Sequence, residues 1–164
     1  MELETHSLAP NSALACQIKL AIIMRGLPGS GKSYWVEQFI NAQQTDIANN
    51  IRQLGYFSTD KLFYIDGQYR FNVNRLSEYH QRNLTAFIHA LSRGEPVVIC
   101  DNTNLARWEF IAYEAAAKAL GYQVREVLIG DPLDKAHQQL CAQRNQHGVS
   151  LPQIQSMAAK FEPF

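Results

Sequence analysis

Eight consecutive residues, Gly26-Leu27-Pro28-Gly29-Ser30-Gly31-Lys32-Ser33, have the spacing G-x-x-x-x-G-K-[ST]. Glycines at 26, 29 and 31 permit positive φ, so successive backbone N–H groups can turn inward on one anion. Pro28 and Ser30 complete the loop around it. A helix opening near Lys32 adds its free N–H groups and the positive end of its dipole. Lys32 brings a flexible point charge to phosphate oxygens, and the Ser33 hydroxyl suits a hard cation such as magnesium. Together these groups bind the phosphates of a nucleoside triphosphate. A glycine-rich turn is the plain alternative. Average composition yields this pattern by chance in about 1 chain in 200 of this length.

Three further groups carry chemistry. Asp60, in Ser58-Thr59-Asp60, follows a short apolar stretch. A carboxylate there can take the proton of an attacking hydroxyl, or it can cap the helix that Lys61-Leu62-Phe63 would open. Asp101 ends an apolar strand in Cys100-Asp101-Asn102-Thr103-Asn104. That place suits a magnesium-organising carboxylate; the same residues also suit a turn and a cap, and Asn104 reads as an N-cap. Arg144 stands before Asn145-Gln146-His147-Gly148. Sequence alone favours a solvated arginine at a helix C-terminus, and the residue also fits a lid that stabilises charge in a transition state. His80, His89, His137 and His147 read as surface or non-ligating residues.

These groups need a scaffold. Leu20-Ala21-Ile22-Ile23-Met24 is nearly continuous apolar sequence, as expected for a strand buried on both faces. A helix follows the glycine-rich loop and runs, with a break near Thr45, toward Gly55. Tyr56-Phe57-Ser58 fits a short strand, and Asp66-Gly67-Gln68 a turn. An amphipathic helix spans 75–93 and stops at Gly94. Residues 96–100 form another buried strand. A helix then carries a stripe of Trp108, Ile111, Ala112, Ala115 and Ala119. Residues 122–129 form a third long strand. Asp131-Pro132 opens a helix to about 145, and Ser150 with Pro152 opens the last. Strands alternating with helices imply an α/β domain, a parallel sheet covered on both faces. Residues 1–17 read as a tail and 18–164 as one domain.

The composition excludes several classes. The 164 residues include fifteen Lys plus Arg and fifteen Asp plus Glu, so no global charge drives binding to a polyanion or membrane. No apolar run reaches membrane-spanning length. Cys16, Cys100 and Cys141 form no metal or disulfide framework, and a reducing cytoplasm is expected. Lys61, Arg70, Arg75, Arg82 and Arg93 read as a solvated face, or as a guide for a nucleic-acid strand.

The segments 26–33, Phe57-Ser58-Thr59-Asp60, Asp101-Asn102-Thr103-Asn104 and Arg144-Asn145-…-His147-Gly148 occur in the order seen in polynucleotide 5′-kinases. The chain resembles that group of P-loop phosphotransferases over about residues 18–164. Asp66-Gly67-…-Tyr69-…-Phe71 and the ending Phe161-Glu162-Pro163 resemble its ATP-binding-protein branch. The resemblance implies a three-layer, adenylate-kinase-like P-loop domain with a parallel sheet of four to five strands and a small lid. It implies ATP and Mg2+ as cofactors and a 5′-hydroxyl of RNA or DNA as acceptor. By position, Lys32 and Ser33 would hold phosphates and magnesium, Asp60 would activate the hydroxyl, and Arg144 would be the lid arginine. Thr103 and Asn104, with Asp101, would lie on the acceptor side. Lys61 stands where the bacteriophage-type enzymes have a second aspartate, Phe63 where they have a phosphate-contacting arginine, and His147 where the lid has another arginine. These departures spare the ATP half and alter the acceptor half. A sugar or nucleotide-sugar kinase of zeta-toxin type, or an ATP-binding module without transfer activity, are the competing readings.

Overall fold

The computed structural model describes residues 18–164, so the expected tail at 1–17 lies outside the described residues. The sheet has four parallel strands: β1 (Leu20–Arg25), β2 (Tyr56–Phe57), β5 (Val97–Asp101) and β6 (Gln123–Leu128), in the order β2-β5-β1-β6. β1 is central, with Met24 level with Asp101 of β5 and Arg25 level with Leu128 of β6. The near-continuous apolar run of β1 follows from its place, because both faces are covered. Ala21 and Ile23 point into one core, and Ile22 and Met24 into the other.

The Ala21 core is closed by α3 (Val73–Arg93) and α4 (Arg107–Ala119), through Phe87, Leu91, Phe110 and Tyr113. The Ile22 core is closed by α1 (Lys32–Asn41) and α2 (Thr45–Asn50), which continues into a π-helical turn over 51–55. That turn ends tightly: a Cβ on Gly55 would sit 2.3 Å from the Val97 carbonyl oxygen. Glycine is what lets the chain pass there into β2. A third cluster, with Leu27, Leu105, Cys141 and Ile154, seats α5 (Lys135–Arg144) and α6 (Leu151–Ala158) beside the glycine-rich loop. The architecture is the three-layer α/β sandwich expected, with four strands. Parallel strands put the loops after β1, β2 and β5 on one carboxyl edge, where ligands of open α/β sheets bind. Among the described residues no helix is long and apolar enough to cross a membrane.

A small hairpin leaves this edge: β3 (Tyr64–Ile65) and β4 (Gln68–Tyr69) are antiparallel. Its turn residues Asp66 and Gly67 both have positive φ, at 52° and 78°, the requirement of a two-residue hairpin turn.

Three local expectations are corrected. Asn104 does not cap α4. It has φ 45° and is 2% exposed, and its side-chain amide donates to the Met24 carbonyl at 2.8 Å. α4 begins three residues later, and Glu109 accepts from the Ala106 N–H at its start. The inner face of α4 is Phe110, Tyr113, Glu114 and Ala117; Trp108 is 75% exposed and Ile111 47%. Asp131 does not cap α5. It closes a turn on the Leu133 N–H, and Asp134 caps α5 by accepting from the His137 N–H.

Candidate active site

β1 ends buried and delivers the glycine-rich loop to the carboxyl edge. Gly26, Gly29 and Gly31 have φ of 149°, 80° and 105°. Gly31 is also the N-cap of α1, and no side chain caps that helix. Its first N–H groups stay free for an anion. The loop is gripped from behind: the Gly26 N–H donates to the Thr103 carbonyl at 2.9 Å. A Cβ on Gly29 would meet the Cys141 carbonyl oxygen at 2.6 Å and the Asn145 nitrogen at 2.8 Å. The loop and the end of α5 therefore touch backbone to backbone, and only glycine fits between them.

Lys32 donates to the Gly26 and Leu27 carbonyls, both at 3.0 Å. An ammonium has three protons, so one is left for a phosphate oxygen. Burial pulls its pKa below the ordinary lysine value, while Asp101 and Asp60 pull it up. Ser30 Oγ is buried without a hydrogen-bond partner. An orphaned hydroxyl inside an anion-binding loop fits a phosphate ligand. Ser33 donates to Asp101 Oδ2 at 2.9 Å, and Tyr56 of β2 donates to the same oxygen at 2.5 Å. Asp101 is 6% exposed at the end of β5. A serine hydroxyl and a carboxylate are hard oxygen donors, and this pair fits a magnesium ion that takes its remaining ligands from phosphates and water.

Asp60 lies in a 3₁₀ turn over 59–63 that has no side-chain cap. The capping role is not taken up. Its carboxylate is exposed into the cavity, where Tyr69 donates to Oδ1 at 3.4 Å and His147 Nε2 stands 3.7 Å from Oδ2. The His147 ring packs against Tyr69, tilted by 35° with centroids 4.2 Å apart. Burial, and then Asp60, push the Tyr69 phenol up to about 12, so it stays a donor at neutral pH. Thr59 fixes the turn. Its N–H donates to the Asn102 side chain at 2.9 Å, and its hydroxyl lies 3.0 Å from His80 Nδ1.

Arg144 ends α5 and lines the same cavity. The loop after it is held rather than loose. The Asn145 amide donates to the Cys141, Ala142 and Val149 carbonyls, and its oxygen accepts from the His147 and Val149 N–H groups. Asn145 thereby sets His147 against Tyr69. One cavity of about 880 Å³ takes in Lys32, Ser33, Asp60, Asp101, Thr103 and Arg144, a size ample for a nucleotide. Asn104 stands behind its wall and ties β5 to β1.

Residue-by-residue reading missed Tyr56, His80 and His147. Tyr56 and His80 carry no local signal. His147 lies in a motif the resemblance singles out, but its partner Asp60 is distant in sequence. Lys61 is a further surprise: its ammonium lies 3.2 Å from the Tyr56 ring centroid. Burial pushes it down to about 8, against Asp101 and Glu37. Between pH 8 and the ordinary lysine value the unfolded chain thus holds more of this proton than the folded one, so stability rises with pH across that window. The desolvation is partial, since much of the residue's surface stays open to water, and this keeps the increment small. Lys61→Met should abolish it, and urea titrations of both proteins from pH 7 to 10.5 measure the difference. Parallel pH curves for the two would show that Lys61 is not desolvated.

Comparison with known proteins agrees with this architecture. Residues 22–164 match a family described as an AAA domain. Human NEDD4-binding protein 2 is 37% identical over 145 residues, which cover 87% of this chain and 8% of that protein. YLP motif-containing protein 1 is 27% identical over 161 residues in human, covering 88% of this chain and 7% of that protein. The rat protein is 26% identical over 163 residues, 88% of this chain and 11% of its own length. The chain thus spans about a tenth of the length of the curated relatives it matches.

Proposed function

The chain belongs to the AAA domain family, and from that premise we propose that it is an ATP-dependent phosphotransferase acting on the 5′-hydroxyl of RNA or DNA. The observation that carries this reading is Asp60: a carboxylate that caps no helix and opens into the cavity that holds Lys32. A binding module has no need of that group. The loop amides and Lys32 bind the triphosphate, and Arg144 faces it from α5. Ser33 and Asp101 would hold Mg2+, which when bound neutralises charge on the phosphates. Asp60 takes the proton of the attacking hydroxyl. The hydroxyl oxygen bonds to the γ-phosphorus as the bond to the β–γ bridging oxygen breaks, and ADP leaves. Tyr69 and His147 position the Asp60 carboxylate for this transfer.

A small hydroxyl acceptor is the second reading. Phe63 favours it, because this residue is 1% exposed at the position where the resembled kinases carry an arginine on substrate phosphate. Transfer of label from γ-labelled ATP with magnesium separates the two. Label on 5′-hydroxyl DNA or RNA oligonucleotides is the expected result. Free phosphate or labelled small alcohols, with unlabelled oligonucleotides, would reject the polynucleotide acceptor.

A further inference from the structure

A second cavity, of about 650 Å³, lies outside the site along the hairpin and the start of α3. Phe63, Phe71, Tyr79, Arg70 and Arg75 line it. Phe71 also lines the catalytic cavity, so its ring borders both. Phe71 is 55% exposed. Its ring is nonetheless held from below, 5.1 Å from Phe63, which is itself 4.7 Å from Tyr79. The Arg70 N–H ties to the Phe63 carbonyl at 2.8 Å. The result is a flat ring braced on buried Phe63, with the rest of its surface open.

The charge around it is one-sided. Residues 61–82 carry Lys61, Arg70, Arg75 and Arg82 against Asp66 and Glu78, in a chain whose net charge is zero. Arg75 pairs with an exposed Glu78, at 2.9 Å, a pairing weak enough to exchange for phosphate. Aromatic rings alternating with cations complement a chain of planar bases joined by phosphates. They do not complement an acidic peptide, which has no use for the ring.

We propose that this outer cavity is a subsite for the nucleotides 3′ of the accepting end, with Phe71 stacking on a base and Arg70 and Arg75 holding phosphate. The subsite rests on the polynucleotide-kinase reading and sharpens it: an unpaired base is required, so the acceptor is single-stranded.

Two measurements test this. The first is the KM for a 5′-hydroxyl nucleoside 3′-phosphate and for a hexanucleotide, in wild type and in Phe71→Ala, Phe71→Trp and Arg75→Gln. Wild type should prefer the hexamer, and Phe71→Ala should raise the hexamer KM on the order of tenfold more than the short-acceptor KM. Phe71→Trp should restore it. Equal KM values for both lengths, or equal shifts of both in Phe71→Ala, overturn the subsite while leaving the kinase reading intact. The second is anisotropy of a 3′-labelled hexamer without ATP. Binding that weakens with salt and in Phe71→Ala, and that a blunt duplex fails to displace, supports the subsite. If oligonucleotides accept no label, the kinase reading fails and this binding decides the subsite alone. No binding by wild type, or equal displacement by duplex, overturns it.

Discussion

Replacing Asp60 by Asn should lower phosphoryl transfer by on the order of 10²–10⁴-fold, the usual contribution of a positioned base. ATP affinity should barely change. Asparagine keeps the shape of the side chain and an oxygen for the Tyr69 hydroxyl, so the turn and cavity persist. The basic lone pair for the hydroxyl proton is what goes. A competing effect exists, because Asp60 is one of two carboxylates that pull the Lys32 pKa up. It is the smaller effect: burial and Asp101 come before Asp60 among the influences on Lys32. Single-turnover transfer at saturating ATP, with ATP affinity measured alongside, separates the two. A transfer rate within tenfold of wild type would falsify the base assignment. A matched loss of ATP affinity would instead make Asp60 an electrostatic partner of Lys32.

The second large effect concerns stability. Arg25, at the end of the central strand, is 0% exposed. Its guanidinium donates to the carbonyls of Asn104 at 2.8 Å, Leu105 at 2.9 Å and Glu162 at 2.6 Å. It also lies against the rings of Phe110, Phe161 and Phe164. Glu126, 3.7 Å away, supplies the countercharge. Swapping a buried ion pair for apolar packing is often neutral. Arg25→Leu is different, because it strips the Asn104 and Glu162 carbonyls of their donor and leaves the Glu126 carboxylate unpaired, while Leu105 keeps only the Glu162 N–H; each unsatisfied group costs about 1–3 kcal/mol. A loss of about 3–5 kcal/mol is expected, with Tm falling on the order of 10 °C for a chain of this size. Lysine should not rescue it, since one ammonium cannot reproduce the planar fork. Urea unfolding measures the loss, and a change under 1 kcal/mol would mean those carbonyls find other partners.

The phosphate loop, the strands and α3 were legible because their signals are local: glycine spacing, an unbroken apolar run, a glycine stop. What failed depended on partners far along the chain. Asn104 has a capping residue's chemistry, but a positive-φ turn sends its amide to Met24 on the next strand. α4 carries two apolar ladders at helical spacing. The sequence favoured the one with Trp108, whereas the core took Phe110, Tyr113 and Ala117. Glu114 hid that choice, since a buried carboxylate on the inner face is tolerable only with Lys118 and Arg107 beside it. Asp131-Pro132 looks like a helix start, but Asp134 three residues on is the cap the helix uses. In the site, Asp60 and Asp101 stood out as carboxylates at strand ends. His147 did not, because nothing in its neighbourhood says that Tyr69 and Asp60 will meet it.

The position of β1 has a consequence for how the chain is made. Among the described residues it is the first strand of the sheet to be synthesised, and both of its neighbours, β5 and β6, follow it in the chain. Leu20 pairs with Val97 and Gln123, so both partners come out of the ribosome long after it. At ordinary translation rates that delay is roughly 4–15 s for β5 and longer for β6. Through that interval an apolar strand waits with two unpaired edges, the kind of segment that other nascent chains can capture. The yield of this protein in a cell should therefore depend on holdase chaperones acting early in synthesis. Slowed translation between β1 and β5 should harm it more than slowed translation after β6.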